Sequence, residues 1–307
     1  MSDVEFINAF YIKLGRSGAW EVDSIASGRL RFGWTDQSID DINNQRWASI
    51  EQQLRTKLGA APGQATRAFN GLRTICGSTP ADIWITFHQA KLWWARISPA
   101  PVAEDSISKY RTLQGGWSDT NQQGKLLVAT ELPGKLAQLQ AYRWTVCAVQ
   151  HRDLLRRVLE GRSSPEALAV ANQRILLAAE LTKAIRGLHW KDFETLVDLV
   201  FRDSGWIRVS VLGQQAKGYD LELREPITGD RCVVQVKSRA GLRELNKTLA
   251  EFSPSDYRRV FFVVHSPSAD LESVEDLPEH VEIVPPEFLA LRVIDAGLTT
   301  WLEEKLA

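Results

Sequence analysis

One segment, from Lys217 to Ala240, constrains the fold of this chain more than any other. Its stretches "DLEL" and "CVVQVK" alternate apolar and polar residues, and the turn-forming residues 226–230 separate them, which predicts a β-hairpin. If Asp220 pairs with Gln235, the two faces of the hairpin differ in polarity. The apolar face then holds Tyr219, Leu221, Leu223, Cys232, Val234 and Val236. The other face holds Asp220, Glu222, Val233, Gln235 and Lys237.

The polar face of this hairpin has two interpretations. An antiparallel hairpin with one solvated face carries such residues without any chemical role. Alternatively, Asp220, Gln235 and Lys237 bring together a carboxylate, an amide and an ammonium, which suit a divalent cation and a negatively charged transition state. The predicted order from about residue 188 to 267 is helix, three strands, helix and strand. This context favours the second interpretation.

In this order, the segment resembles the Mrr-like branch of the PD-(D/E)xK restriction-endonuclease superfamily. The resemblance rests on "DFETLV" in the first helix, "GYD" and "VQVKS" in the hairpin, and "VFFVVHS" in the following strand. It implies a restriction-endonuclease-like α/β/α core with a mixed sheet, and a metal-dependent endodeoxyribonuclease. Tyr219 departs from the family proline, and Gln235 replaces the acidic residue of the (D/E)xK element, as is common in Mrr-like members.

The candidate active site follows from the resemblance and from the chemistry of phosphodiester hydrolysis. Mg²⁺, for which Mn²⁺ can substitute, prefers hard oxygen ligands. Asp220, the Gln235 side chain and the Val236 carbonyl group would supply them. Lys237 would orient or polarise the attacking water and offset transition-state charge. The family often uses a first-helix acid, and Glu194 is the residue at that position.

Some candidates near this site have equally good alternatives. Glu194 could belong to a solvated helix face beside Asp198, and Glu222 is a rival second carboxylate. Gln214 and Lys217 precede the hairpin and could contact phosphate, although ordinary loop polarity explains them equally well.

Charge is unevenly distributed along the chain. The net charge is −1, but residues 188–307 hold 14 Lys and Arg against 21 Asp and Glu. The basic charge needed to approach phosphates therefore lies upstream. In residues 131–187, which we expect to form a helical connector, a basic cluster could contact backbone phosphates or form a solvated helix face. Its members are Arg152, Arg156 and Arg157.

Tryptophan is concentrated near the N-terminus, where seven of eleven lie within the first 117 residues. Short strands and a hairpin turning at residues 88–90 predict a small mixed domain that is β-barrel-like. It weakly resembles the PUA and EVE type of modified-base reader, which holds a flipped base in an aromatic pocket. Most of these tryptophans are expected to fill the core, but any in a cleft could stack on a base. The candidates are Trp20, Trp34, Trp84, Trp93 and Trp94.

The sequence as a whole predicts three regions and one leading function. Residues 1–130 would recognise the substrate, 131–187 connect, and 188–307 form the nuclease. The function is a metal-dependent DNA endonuclease of restriction or anti-phage type, with selection by base modification as one option. The alternatives are a nucleic-acid-binding or sensor protein with an inactive nuclease-like domain, and a nuclease acting on RNA or branched DNA.

Partners and location follow from simpler features. Cutting both DNA strands needs two active sites, so we expect a homodimer. Cys76, Cys147 and Cys232 are widely separated, which favours neither a zinc site nor disulfides and fits a reducing cytoplasm. The sequence contains no apolar run long enough to span a membrane.

Overall fold

The computed structural model describes residues 4–58, 62–209, 219–252, 257–274 and 276–307. The chain divides into two compact units, Met1–Pro165 and Glu166–Ala307. The predicted connector, 131–187, spans this division, and the three-region division remains a prediction. Within the described ranges, no helix combines the length and apolar character needed to cross a membrane.

The first unit is built on short strands and helices. Its strands are β1 (Ala9–Ile12), β2 (Arg29–Phe32), β3 (Ile83–His88), β4 (Lys91–Ile97), β5 (Ala103–Glu104), β6 (Lys109–Ser118) and β7 (Val146–Ala148). Its helices are α1 (Glu21–Ser27), α2 (Ile39–Asn43), α3 (Trp47–Leu58), α4 (Pro62–Gly77), α5 (Gly134–Ala137) and α6 (Arg152–Glu160). The hairpin turn predicted at residues 88–90 is confirmed, because β3 and β4 pair from His88 and Lys91 outward.

The strands of the first unit form one mixed, curled sheet in the order β2-β6-β4-β3-β1-β7, with β5 on β6. The pair β1–β3 is parallel, and the other pairs are antiparallel. One core includes apolar residues of α2, α3 and α4, and a second includes Leu155 and Leu159 of α6. The predicted small mixed β domain is confirmed.

The segment before α6 differs from its prediction. The sequence from residue 134 to 162 predicts a helix or a helix pair, but most of its first half is not regular α-helix. It contains the four-residue α5, a 3₁₀ turn at Gln138–Ala141 and strand β7. Strand β7 pairs antiparallel with β1. Pairing with a strand far away in sequence overrides a local helical preference of this size.

The second unit contains the predicted nuclease segment. Its strands are β8 (Ile207–Arg208), β9 (Leu221–Arg224), β10 (Arg231–Ala240), β11 (Arg259–Pro267) and β12 (Val281–Val284). Its helices are α7 (Pro165–Gly187), which begins at the boundary, α8 (Trp190–Asp203), α9 (Leu242–Glu251), α10 (Ala269–Glu272), α11 (Pro286–Asp295) and α12 (Thr299–Leu306). The sequence from residue 288 to 307 predicts a single amphipathic helix, but Gly297 takes a left-handed conformation, φ +67°, and separates α11 from α12.

The second unit is a three-layer α/β/α structure around a mixed sheet, in the order β12-β11-β10-β9-β8. Strands β10, β11 and β12 are parallel, and β8, β9 and β10 are antiparallel. The apolar sides of α7, α8, α11 and α12 cover one face, and α9 and α10 cover the other. Burial of each large apolar side chain contributes about 1.5–3 kcal/mol. The predicted restriction-endonuclease-like core is confirmed.

A histidine in this core makes the stability of the second unit depend on pH. The His265 ring lies edge-on to Phe193, with 5.0 Å between centroids. Burial lowers the pKa of His265, and the charges of Arg186 and Arg239 lower it further, although a hydrogen bond with Ile185 opposes them. The neutral form is therefore favoured in the folded state. The contribution of the neutral ring to folding stability is fully present above the pKa of histidine in the unfolded chain, about 6.5. It is lost as the pH falls through the lower pKa of His265 in the folded state.

We therefore expect His265→Gln to lose less stability than the wild type between pH 7.5 and 5.5. Urea denaturation at the two pH values measures the difference. The control is His151→Gln, at an exposed position, which should follow the wild type. Equal pH dependence in the wild type and His265→Gln would contradict the prediction.

Candidate active site

The predicted register of the hairpin is confirmed. Leu221 pairs with Val234 and Leu223 with Cys232, and the Asp220 backbone N–H donates to the Val234 carbonyl at 3.1 Å. This continues the ladder to the Asp220–Gln235 position. Five residues of the predicted apolar face belong to the core beneath α8: Leu221, Leu223, Cys232, Val234 and Val236.

Tyr219 is the exception on that face. Its ring contacts Phe252 and Tyr257, at centroid distances of 6.2 and 6.3 Å. Its hydroxyl group donates to Glu222 at 2.9 Å. Tyr219 lies at the start of the strand, where contacts with neighbouring segments override strict alternation.

Three of the five residues on the opposite face of the hairpin are buried, and Asp220 and Lys237 are half-buried, so this is not an ordinary solvated face. Glu222 and Gln235 are each 6% exposed, and Val233 is fully buried. Helix α9 packs against β10 and excludes solvent there. A polar group in such a place needs a partner or a function, because unpaired burial costs about 1–3 kcal/mol.

Asp220 is the centre of the polar cluster. One oxygen, Oδ2, accepts a hydrogen bond from the Val236 backbone N–H at 2.7 Å and another from Gln235 Nε2. Burial raises the pKa of Asp220, while the bond from Val236 and the charge of Lys237 lower it, and the net direction is upward. The carboxylate is therefore positioned by two donors, but burial still disfavours its charge.

Gln235 presents its amide nitrogen to Asp220 in this structure. The same nitrogen lies 3.5 Å from the Val236 carbonyl oxygen. A ligand role for Gln235 needs its Oε1 on that side, so the amide group would have to rotate. The neutral amide group satisfies the carboxylate and adds no second negative charge.

Glu194 comes into electrostatic reach of this cluster from helix α8. Burial raises the pKa of Glu194, and the charge of Asp220 raises it further, while Lys191 and Lys237 lower it. The proposed alternative, a solvated face shared with Asp198, does not hold. Asp198 is buried and pairs with Arg208 at 3.1 Å.

Glu222 does not act as a second carboxylate at this position. It pairs with Arg231, whose guanidinium group lies 5.3 Å from the Tyr257 ring, and it accepts from the Tyr219 hydroxyl group. Its charge is already compensated by these partners. It is therefore a structural group of the hairpin.

The donor set suits a hard cation only in part. Among the described residues, no group of three or more His, Cys, Asp or Glu side chains is arranged to hold a metal ion. Two carboxylates, Glu194 and Asp220, are nevertheless held where burial disfavours their charge and Asp220 raises the pKa of Glu194. A divalent cation would relieve both effects. The residues present therefore fit a metal bound by few protein ligands, as Mg²⁺ often is.

The other predicted phosphate contacts lie elsewhere. Gln214 and Lys217 are outside the described residues. Arg152 is exposed and donates to the Ile7 carbonyl group at 2.6 Å, and Arg156 pairs with Asp153 at 2.8 Å. Arg157 is half-buried on the same helix. A phosphate contact by this cluster remains a prediction.

The structure separates the predicted stacking tryptophans into two groups. Trp84 is fully buried, and its ring offers no face to a base, which corrects its assignment as a contact residue. Trp93 and Trp94 are half-buried and donate to the His88 and Thr120 carbonyl groups at 3.2 and 2.8 Å. These three tryptophans lie on strands β3 and β4. The pairing of the two strands directs their side chains into or against the cores of the unit.

Trp20 and Trp34 remain accessible. Both are half-buried and line an open cleft of about 610 Å³ in the first unit. Trp144, which is 40% exposed, lines the same cleft and was not predicted. The one signal in the sequence is the cationic neighbour of this aromatic residue, Arg143.

Comparisons with known proteins agree with the hairpin and its helices. Residues 185–267 match the model of a restriction endonuclease family, the Mrr catalytic domain. No curated protein gives a significant match to the chain.

Two solved structures also match. The DNA modification-dependent restriction endonuclease AspBHI is 12% identical, with a TM-score of 0.33, over 85% of this chain and 73% of that chain. The MspJI restriction endonuclease, solved in complex with a 27-mer oligonucleotide, is 15% identical, with a TM-score of 0.29, over 79% and 68%. Scores this low do not establish a shared fold, so the assignment rests on the family model. By that model, residues 185–267 are similar to a restriction endonuclease domain of the Mrr type.

Proposed function

We propose that this protein is a divalent-metal-dependent DNA endonuclease whose active site contains Asp220, Gln235, Lys237 and Glu194. The observation that carries the proposal is the half-buried Asp220 carboxylate. It is held by the Val236 N–H and the Gln235 amide group, within electrostatic reach of Glu194 and Lys237. Structural carboxylates usually have a full ion-pair partner, as Glu222 has in Arg231.

Each residue has a distinct role in this proposal. Asp220 and Glu194 would hold Mg²⁺ or Mn²⁺, with the Val236 carbonyl and, after rotation, the Gln235 amide oxygen. The metal, when bound, offsets charge on the phosphoryl group and lowers the pKa of water. Lys237 offsets the negative charge of the carboxylates before the substrate enters and that of the phosphate afterwards. It also opposes the effect of burial on the pKa of both acids and so favours their ionised forms.

We also propose that the first unit restricts the nuclease to selected DNA. A nuclease that cuts any DNA would destroy its host, and this need fits a restriction or anti-phage role. Trp20 and Trp34, in the open cleft, provide faces on which an extruded base could stack. A modification on that base would add contact area or a hydrogen bond.

A cleavage assay tests this proposal. The purified protein, with Mg²⁺ or Mn²⁺, is incubated with unmodified, methylated, hydroxymethylated and branched DNA and with RNA. We expect metal-dependent cutting of duplex DNA, with a preference for one modified form. Cleavage of RNA or branched DNA alone would favour the second class of nuclease. Binding without cleavage of any substrate would favour a sensor with an inactive domain. Sedimentation of the DNA complex would show whether two copies assemble to cut both strands.

Metal binding should depend on Gln235. An amide oxygen brings a dipole where a carboxylate brings a charge. We therefore expect Gln235→Glu to bind Mn²⁺ as tightly as the wild type or more tightly, and Gln235→Ala to bind it more weakly. Calorimetric titration without DNA measures both. Identical affinities in all three proteins would remove Gln235 from the ligand set, and Glu194→Ala in the same titration tests the first-helix acid.

A further inference from the structure

The first unit contains three clefts that share wall residues. The cleft of about 610 Å³ adjoins a second of about 460 Å³, because Trp34, Ala68, Trp144 and Thr145 line both. The second adjoins a third of about 370 Å³ through Phe10, Asn70 and Thr74. The three form a continuous groove beside helix α4, which we call the α4 groove.

Cationic side chains dominate the charge of the α4 groove. Two carboxylates line it, and both have partners: Asp36 pairs with Lys57, and Asp82 is buried and accepts from Asn8 and Thr79. The cations along its length are Lys13, Arg16, Lys57, Arg67, Arg73 and Arg143. Such a surface attracts an anionic chain.

An aromatic ring stands at the junction of the first two clefts. Trp144 is 40% exposed, and the Arg67 guanidinium group lies over its ring at 4.8 Å from the centroid. Trp34 forms the facing wall, and its rings lie 3.5 Å from the place where a Cβ on Gly71 would be. The Trp34 ring therefore packs closely over Gly71, and a side chain larger than that of Ala at this position would press against it. Planar aromatic and guanidinium groups are the usual stacking surfaces for bases.

Helix α4 supplies neutral polar groups along the same groove. Gln64 and Asn70 are exposed, and Thr74 is half-buried. Together with Arg67, they lie three or four residues apart and so share one face of the helix. They can bond to phosphate and sugar oxygens without reading a sequence.

We propose that the α4 groove binds a single DNA strand, with its phosphates along Arg67 and Asn70 and a base stacked on Trp144. This deepens the proposed function, on which it rests, because it extends the contact from one extruded base to the strand that carries it. A groove with an aromatic ring between cationic clefts suits bases and phosphates together. An acidic peptide would use the cations but not the Trp144 ring face.

Binding of labelled single-stranded DNA to the full-length protein in EDTA tests the proposal, because cleavage is then suppressed. Fluorescence anisotropy gives Kd, and duplex DNA, single-stranded RNA and polyglutamate are competitors. We expect Trp144→Ala to weaken binding about 5- to 150-fold, the value of one stacked base, and Trp144→Phe to restore most of it. Arg67→Ala should weaken binding and reduce the dependence on salt by about one ion.

One further variant tests the shape of the α4 groove, and another serves as the control. Gly71→Leu adds a side chain beside Trp34 and should weaken binding without a change of charge. Arg55→Ala is the control, since Arg55 is exposed on α3, pairs with Glu51 and lies outside the groove. It should bind as the wild type does. Thermal melting verifies that each variant is folded.

The outcomes separate this inference from the proposed nuclease. Unchanged Kd in folded Trp144→Ala and Arg67→Ala, with DNA cleavage by the wild type, would overturn the groove and leave the nuclease intact. Polyglutamate competing as well as single-stranded DNA would also overturn it. Loss of binding in both variants, in a wild type that cuts no DNA, would support the groove and reject the nuclease. RNA competing better than DNA would overturn the assignment to a DNA strand.

Discussion

Asp220→Ala is expected to reduce the rate of DNA cleavage by about 10³-fold or more, which corresponds to about 4 kcal/mol of transition-state stabilisation. The variant loses the carboxylate that two donors hold in place, and with it the strongest candidate metal ligand. Lys237→Ala should cause a loss of similar order, because it leaves the negative charge at the site uncompensated. Single-turnover cleavage of labelled duplex DNA measures both rates.

Substitution of Asp220 should affect folding stability differently from the rate of cleavage. Burial raises the pKa of Asp220, so its ionised form is disfavoured in the fold at neutral pH. Asp220→Asn should therefore be folded and at least as stable as the wild type at pH 7, although it does not cut. Any gain in stability should shrink as the pH falls and the wild-type carboxyl group becomes protonated.

Glu222→Gln is the matched control for Asp220. Glu222 is a buried carboxylate two residues further along the same strand face, but Arg231 and Tyr219 already compensate it. Its replacement should lower stability and leave metal affinity unchanged. The assignment of the site would be refuted if Asp220→Ala cleaved DNA at the wild-type rate. It would also be refuted if Asp220→Ala and Glu222→Gln lost the same amount of metal affinity.

The second large effect is expected in the first unit, where Trp84→Ala should cost about 3–5 kcal/mol of folding stability. Trp84 is fully buried, lies 5.1 Å from the Phe10 ring and donates to Ser78 Oγ at 3.2 Å. Its removal leaves a large cavity and one lost hydrogen bond, although the Ser78 hydroxyl group still donates to the Ile75 carbonyl at 2.9 Å. Urea denaturation measures the loss, provided that the transition of this unit is resolved from that of the second.

Trp20→Ala is the comparison for this prediction. Trp20 is half-buried on the wall of the cleft, so its loss should cost less stability than that of Trp84. It should instead reduce the preference for modified duplex by about 1–3 kcal/mol if the cleft reads a base. A Trp84→Ala protein as stable as Trp20→Ala would show that Trp84 is not a core residue.

The local patterns of apolar and polar residues predicted the elements of the second unit well. The alternation around Asp220 and Gln235 fixed the register, because a slip of one residue would move every apolar side chain to the wrong face. Helices α8 and α9 follow from helical periodicity within single segments, and strand β11 follows from a short continuous apolar run. The segment from residue 134 to 162 was predicted poorly, since strand β7 exists only by pairing with β1.

The sequence by itself determined the hairpin, the order of elements around it and the set of residues able to do hydrolytic chemistry, because these depend on neighbours along the chain. Only the tertiary structure decided that Gln235 and Glu222 on the polar face are buried, that Glu222 is compensated by Arg231, and that Trp84 lies in the core. It also decided that Trp34 and Trp144 share one cleft. Solvent exclusion, charge compensation and cavity shape arise where distant segments pack together, and no local period encodes which segments those are.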